Sequence, residues 1–185
     1  MFIVLEGVDG SGKSTHARLL ADWLRGRGKG VFLTMEPTDG KIGKLIREVL
    51  SGRIHVDPKA LALLFCADRV EHVRQINEAL SKGDTVISDR YFHSTVAYQA
   101  AQGVDRNWLI QLNRFVIEPD LVILLDVDPA AGADRARSGE IFEKSDFLDK
   151  VRVGYLRFKE IKVVDSSKDK DAVQEEIRSI VHGCL

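Results

Sequence analysis

The sequence predicts a doubly wound α/β domain, a five-stranded parallel sheet with helices on both faces. Three observations predict it. Short runs rich in valine, isoleucine and leucine alternate with longer helical patterns, as strand–helix–strand crossovers require. Most of these runs are apolar throughout, as strands covered on both faces are. The segment Gly7-Val8-Asp9-Gly10-Ser11-Gly12-Lys13-Ser14 fits G-x-x-x-x-G-K-[ST] and stands between the first apolar run and the first helical pattern. That is the place a phosphate-binding loop occupies.

The first strand is Phe2–Glu6, an apolar run that feeds the glycine-rich loop. Its glycines let the backbone turn tightly and point successive N–H groups at phosphate oxygens. A helix over Ser14–Arg25 follows and adds its positive dipole end. Lys13 is placed to reach the β- and γ-phosphates of a nucleoside triphosphate, and the Ser14 hydroxyl to ligate magnesium. The remaining strands are Val31–Met35, Thr85–Ser88, Leu121–Asp126 and Lys162–Asp165. Helical patterns fill the intervals: Ile42–Leu50, Pro58–Leu80, Ser94–Ala101, Arg106–Phe115, Ala130–Ala136, Asp146–Phe158 and Lys170–Val181. Ligands of such sheets bind beyond the carboxyl ends of the strands. Those ends carry Asp9, Glu36, Asp89 and Asp126.

Bulk composition narrows the classes. At 185 residues the chain suits one domain with a full core. A net charge of −1 gives no electrostatic case for nucleic acid or an anionic membrane. No apolar run approaches the roughly 20 residues that span a bilayer. The first run lacks a basic flank, so it does not read as a signal peptide. Cys66 and Cys184 have no metal or redox spacing; a buried thiol at Cys66 and a cytoplasmic setting are expected.

Four further features carry chemistry. Asp89-Arg90-Tyr91 follows a strand. A carboxylate there can hold magnesium, and an arginine can bridge two phosphates with its planar fork. Asp9 lies within the loop, where a carboxylate beside triphosphate needs a cation or a sugar hydroxyl to offset it. A solvent-facing turn aspartate is the other reading. Phe65 and Arg69 are four apart and share a helix face. A ring and a guanidinium could stack on and read a base, yet the same spacing suits a core ring with a surface arginine. Ser94–Tyr98 and Thr95–Gln99 repeat the ambiguity: a base-reading helix and an ordinary amphipathic one look alike.

The combined pieces resemble the thymidylate kinase family. They are Glu6 to Thr15, Glu36-Pro37-Thr38, Leu64 to Arg69, Asp89-Arg90-Tyr91 with Ser94, Ala97 and Tyr98, Leu124 to Pro129, and Val164 to Ser167. The likeness implies a P-loop kinase fold with strand order 2-3-1-4-5, in a single domain over residues 1–185 with a short lid at about 134–145. It implies transfer of phosphate from ATP to dTMP with Mg2+, and a homodimer. ATP would sit on Gly7 to Thr15, with its adenine near the Ser166 and Ser167 backbone. Ser14, Asp9 and Asp89 would serve the metal. By the same likeness, Phe65 stacks on thymine, Arg69 bonds a base carbonyl, and Ser94 or Thr95 with Gln99 lies at the base edge. Glu36 and Pro37 flank the acceptor, Tyr98 packs against the sugar, Asp9 meets its 3′-hydroxyl or magnesium, and Arg90 bridges phosphates. Lid charge would come from Arg135 and Arg137, since Gly10 stands where some members carry a basic residue. Ile141-Phe142-Glu143 and Met35 stand where many members carry an arginine. The open alternatives are a kinase for another pyrimidine monophosphate and a nucleotide switch. The second lacks the Asn-Lys-x-Asp guanine reader.

Overall fold

The computed structural model describes residues 1–128 and 145–184. Five strands, β1 (Phe2–Glu6), β2 (Val31–Met35), β3 (Thr85–Asp89), β4 (Leu121–Asp126) and β5 (Lys162–Asp165), form one sheet of order β2-β3-β1-β4-β5. Every neighbouring pair is parallel, so the predicted order stands. The described helices are α1 (Lys13–Arg25), α2 (Lys41–Leu50), α3 (Pro58–Ser81), α4 (Phe92–Ala101), α5 (Arg106–Leu112), α6 (Ser145–Leu156) and α7 (Lys170–His182). The expected helix Ala130–Ala136 lies outside the described residues, as do Arg135, Arg137 and nearly all of the expected lid.

Side-chain alternation along β1 divides the core. Phe2 and Val4 join a cluster with Ile46, Leu61, Val96, Leu148 and Val151. Ile3 and Leu5 join another with Leu20, Leu24, Val173 and Ile177. Strand period dictates this split, and helices α1 and α7 cover the second face while α2 to α6 serve the first. Full burial on both faces holds for β1 and β3 but not for the sheet edges. β2 is half-buried and β5 is exposed except at Val164.

Helix boundaries follow identifiable caps. Asp57 accepts from the Lys59 N–H, with Pro58 opening α3, and Asp169 accepts from Asp171 and Ala172 at the start of α7. Carboxylates at these positions satisfy otherwise unpaired N–H groups. Three helix boundaries differ from expectation by two residues or more. α4 begins at Phe92, two residues early, because the buried Glu6 carboxylate accepts the N–H groups of Tyr91 and Ser94. α5 stops at Leu112 rather than Phe115. Asn113 accepts from Arg69 there while its own amide turns back to the Leu109 carbonyl. α6 ends at Leu156, two residues short of Phe158. Among the described residues no helix is long and apolar enough to cross a membrane.

Candidate active site

The glycine-rich loop joins β1 to α1. Gly7 has φ +153, and a Cβ there would sit 2.5 Å from Ser11 Oγ and 2.7 Å from the Leu125 carbonyl. Gly12 caps α1 in the left-handed region with φ +91. Both positions exclude ordinary side chains. Lys13 is buried, and its Nζ donates to the Val8 carbonyl at 2.8 Å. Burial and the neighbouring Arg90 charge push its ammonium down to about 8. Ser14 and Thr15 are exposed on the first turn of α1. The Ser14 hydroxyl donates to Asp89 Oδ2. Asp89 Oδ1 is buried without a hydrogen-bond partner among the described residues, and so is Ser11 Oγ.

Arg90 follows β3 with φ 72, the left-handed region where a non-glycine residue is strained by about 1–2 kcal/mol. Its backbone N–H holds the Leu5 carbonyl at 2.9 Å. The guanidinium donates to the Gly7 carbonyl at 3.1 Å, Ser94 Oγ at 3.0 Å and Tyr155 Oη at 3.3 Å. It also pairs with Asp9, which accepts a second bond from Tyr98 Oη at 3.0 Å. Burial alone would raise the Asp9 carboxyl, but Arg90 and Lys13 outweigh it and hold it below the usual range. Asp9 is therefore not a solvent-facing turn residue. Beneath lies Glu6, fully buried, accepting from Ser94 Oγ at 2.6 Å and Tyr155 Oη at 3.0 Å. Desolvation raises its carboxyl despite those bonds.

A second buried cluster stands at the far end of the cleft. Arg69 is fully buried, which removes the surface-arginine reading. Its Nε and Nη2 donate to Glu36 Oε2 at 2.9 and 2.6 Å, its Nη1 to Asn113 Oδ1 at 2.5 Å, and its Nη2 also to Thr95 Oγ1 at 2.9 Å. Removing one partner of such a pair strands a charge, at about 3–5 kcal/mol. Gln99 is buried, with Oε1 unpartnered among the described residues. Phe65 is half-buried.

Between the two clusters runs a cleft of about 550 Å³ lined by Asp9, Glu36, Pro37, Phe65, Arg69, Arg90, Ser94, Thr95, Tyr98 and Gln99, with Leu50 and Tyr91. All ten residues expected to hold the acceptor thus surround one space. A family model described as thymidylate kinase matches residues 5–177. The chain belongs to the thymidylate kinase family. It is 46% identical to the probable thymidylate kinase of Thermococcus kodakarensis, covering 100% of this chain and 98% of the relative. The probable thymidylate kinase of Methanocaldococcus jannaschii is likewise 46% identical, over 100% and 95% of the two chains. That of Pyrococcus horikoshii is 45% identical over 97% and 95%. Family membership makes the chain a nucleotide-using kinase, an enzyme that transfers phosphate.

The structure separates the other expected residues. Ser166 and Ser167 follow the edge strand β5, away from the acceptor cleft. Ser166 Oγ turns inward to the Asp126 carbonyl at 3.0 Å, and Ser167 Oγ to Asp165 at 2.6 Å. Met35 is exposed at the end of β2. Cys66 is half-buried rather than buried, donating weakly to the Leu112 carbonyl at 3.5 Å. Sequence reading missed Tyr91 and Leu50 in the cleft wall, Asn113 beside Arg69, and Tyr155 behind Arg90. It also missed Arg152, which grips Asp126 with two bonds of 2.6 and 2.7 Å. Each of these contacts joins distant segments. No local spacing signals them.

The donor set suits magnesium. An unpartnered buried carboxylate oxygen on Asp89 beside the Ser14 hydroxyl is hard-oxygen chemistry, which Mg2+ requires. Among the described residues no group of three or more His, Cys, Asp or Glu could hold a metal ion. Phosphate oxygens and waters would complete the shell, as is usual for this ion.

Proposed function

We propose that the chain catalyses ATP + dTMP → ADP + dTDP with Mg2+. The observation that carries this is the single cleft with a ring and a guanidinium at one end and the Arg90–Asp9 pair beside the phosphate loop at the other. An oxygen of the acceptor phosphate forms a bond to the γ-phosphorus of ATP. The bond from that phosphorus to the β–γ bridging oxygen breaks, and ADP departs with the electron pair. Such transfer leaves the protein the tasks of positioning and charge neutralisation. Lys13 holds the β- and γ-phosphates, with Ser14 and Asp89 holding Mg2+, which neutralises developing charge when bound. Arg90 bridges donor and acceptor phosphates, already aimed by its bonds to Gly7, Ser94 and Asp9. Phe65 stacks on the thymine, Arg69 and Gln99 meet its polar edge, and Asp9 receives the sugar 3′-hydroxyl. Tyr98 blocks the space of a ribose 2′-hydroxyl.

The wider reading is of one kinase domain with a lid near residues 134–145 carrying Arg135 and Arg137, and adenine beside Ser166 and Ser167. It is a cytoplasmic homodimer. Exposed Leu63 and Val70 on one face of α3, and two free cysteines, support the assembly and the compartment respectively. A coupled assay of ADP formation with dTMP, dUMP, UMP and CMP tests the reaction. Turnover should depend on the monophosphate and be fastest with dTMP. ADP formation at one rate with or without any monophosphate overturns the reading, and preference for another pyrimidine reassigns the acceptor. Light scattering tests the dimer.

A further inference from the structure

We propose that His72 is a positioning residue for recognition of the acceptor base, acting through Glu36 on Arg69. This rests on the reading of Arg69 as the base-facing arginine. His72 is fully buried on α3, three residues beyond Arg69, and therefore on a shared helix face. It does not line the cleft. Its Nδ1 is 2.9 Å from Glu36 Oε1, and its Nε2 is 2.8 Å from Thr34 Oγ1. A carboxylate oxygen can only accept, so Nδ1 carries the hydrogen and donates.

The consequence runs outward by one bond at a time. Glu36 divides its two oxygens: Oε1 takes His72, and Oε2 takes two bonds from Arg69. Asn113 and Thr95 occupy two more guanidinium hydrogens. An arginine has five N–H donors, so among the described residues one remains for an acceptor in the cleft. Its direction is set by the other four. Glu36 sets two of those, and His72 sets the rotamer of Glu36. Without a donor at Nδ1, a buried carboxylate oxygen loses its hydrogen bond. The carboxylate is then free to turn, and turning slackens Arg69. Lys13, Ser14 and Arg90 share no bond with this chain of contacts, so the transfer step is spared.

Three substitutions separate positioning from packing. His72→Asn puts an amide nitrogen where Nδ1 stood. His72→Gln puts it where Nε2 stood, near Thr34. His72→Phe keeps ring volume and removes both nitrogens. The expected result is a KM for dTMP raised about tenfold in His72→Phe and His72→Gln, the magnitude of one buried hydrogen bond to a charged group. His72→Asn should recover most of that loss. kcat and the KM for ATP should stay within about twofold in all three. Thermal melting is recorded alongside. Unchanged dTMP KM in the Gln and Phe variants overturns the proposal, as does failure of the Asn variant to differ from them. A rise shared equally by ATP and dTMP overturns it too. If His72→Phe does not fold, the Asn and Gln pair decides alone. A parent enzyme that leaves dTMP unphosphorylated refutes the assigned reaction instead, and titration of dTMP binding to the same variants then decides the role of His72.

Discussion

Replacing Lys13 with methionine should abolish phosphate transfer and raise the stability of the free protein at neutral pH. The ammonium is held at about 8 against an ordinary 10.5, by burial first and by Arg90 second. A shift of that size corresponds to about 3 kcal/mol of fold destabilisation while the group is charged. Methionine removes it but leaves the Val8 carbonyl without its 2.8 Å donor, which costs about 1 kcal/mol. The net gain is about 2 kcal/mol, or about 4–8 °C in Tm for a chain of this length. The sign follows from the protons bound. Below pH 8 both folded and unfolded chains carry the charge, and the penalty is complete. Between about 8 and 10.5 the unfolded chain binds the extra proton, so the parent gains stability as pH rises. Lys13→Met lacks this gain, and its advantage should vanish by about pH 10.5. Denaturant unfolding of both proteins at pH 7, 9 and 10.5 measures the difference, and turnover should fall at least about 10²-fold. A variant less stable than the parent at pH 7, or a gap unchanged across that range, refutes the reasoning.

Other outcomes follow from the cleft. Phe65→Ala should raise the KM for dTMP by the about 1–3 kcal/mol of a lost base stack, leaving ATP nearly untouched; equal effects on both substrates in steady-state kinetics would return Phe65 to the core. Tyr98→Ala should narrow the preference for dTMP over its ribose analogue, measured as a ratio of kcat/KM values. Tyr98→Phe should keep that preference yet lower kcat, because it frees Asp9 from a 3.0 Å bond. Arg135→Ala and Arg137→Ala should each be assayed at saturating substrates; loss of about 10³-fold in one of them supports a lid arginine, with Arg137 expected to dominate, whereas near-parental turnover in both singles and the double removes the lid role.

Strands were legible because burial on two faces demands near-continuous apolar runs, and four of the five have the expected bounds. The cleft was legible for a different reason. Phe65, Arg69, Arg90 and the Ser94–Gln99 helix bring functional groups to one face at short spacing, so a local pattern survives in the sequence. What stayed hidden is the layer behind them. Glu6 reads as the polar end of a strand, yet it caps a helix more than eighty residues away. Asn113 reads as a surface helix residue, yet it ends α5 because Arg69 needs an acceptor. Tyr155 and Arg152 read as one turn of an amphipathic helix, and nothing near them announces Arg90 or Asp126. His72 was the nearest to being found, since it lies one helical turn from Arg69. Supporting contacts between distant segments leave no period to detect.

Glu6 also bears on whether a phosphate loop can be treated as a transferable part. By sequence the motif from Gly7 to Ser14 looks self-contained, a cassette for any strand and helix. In this chain the residue just before it is bolted to α4 through two backbone N–H groups and the Ser94 hydroxyl, and to α6 through Tyr155. A graft that moved the loop with Glu6 would carry a buried carboxylate into a host with no donors for it, and one that left Glu6 behind would lose the tie to both helices. The smallest portable unit is therefore the loop and Glu6 together with the start of α4 and the end of α6, both far along the chain. Anyone building a new kinase from this scaffold inherits them as one piece.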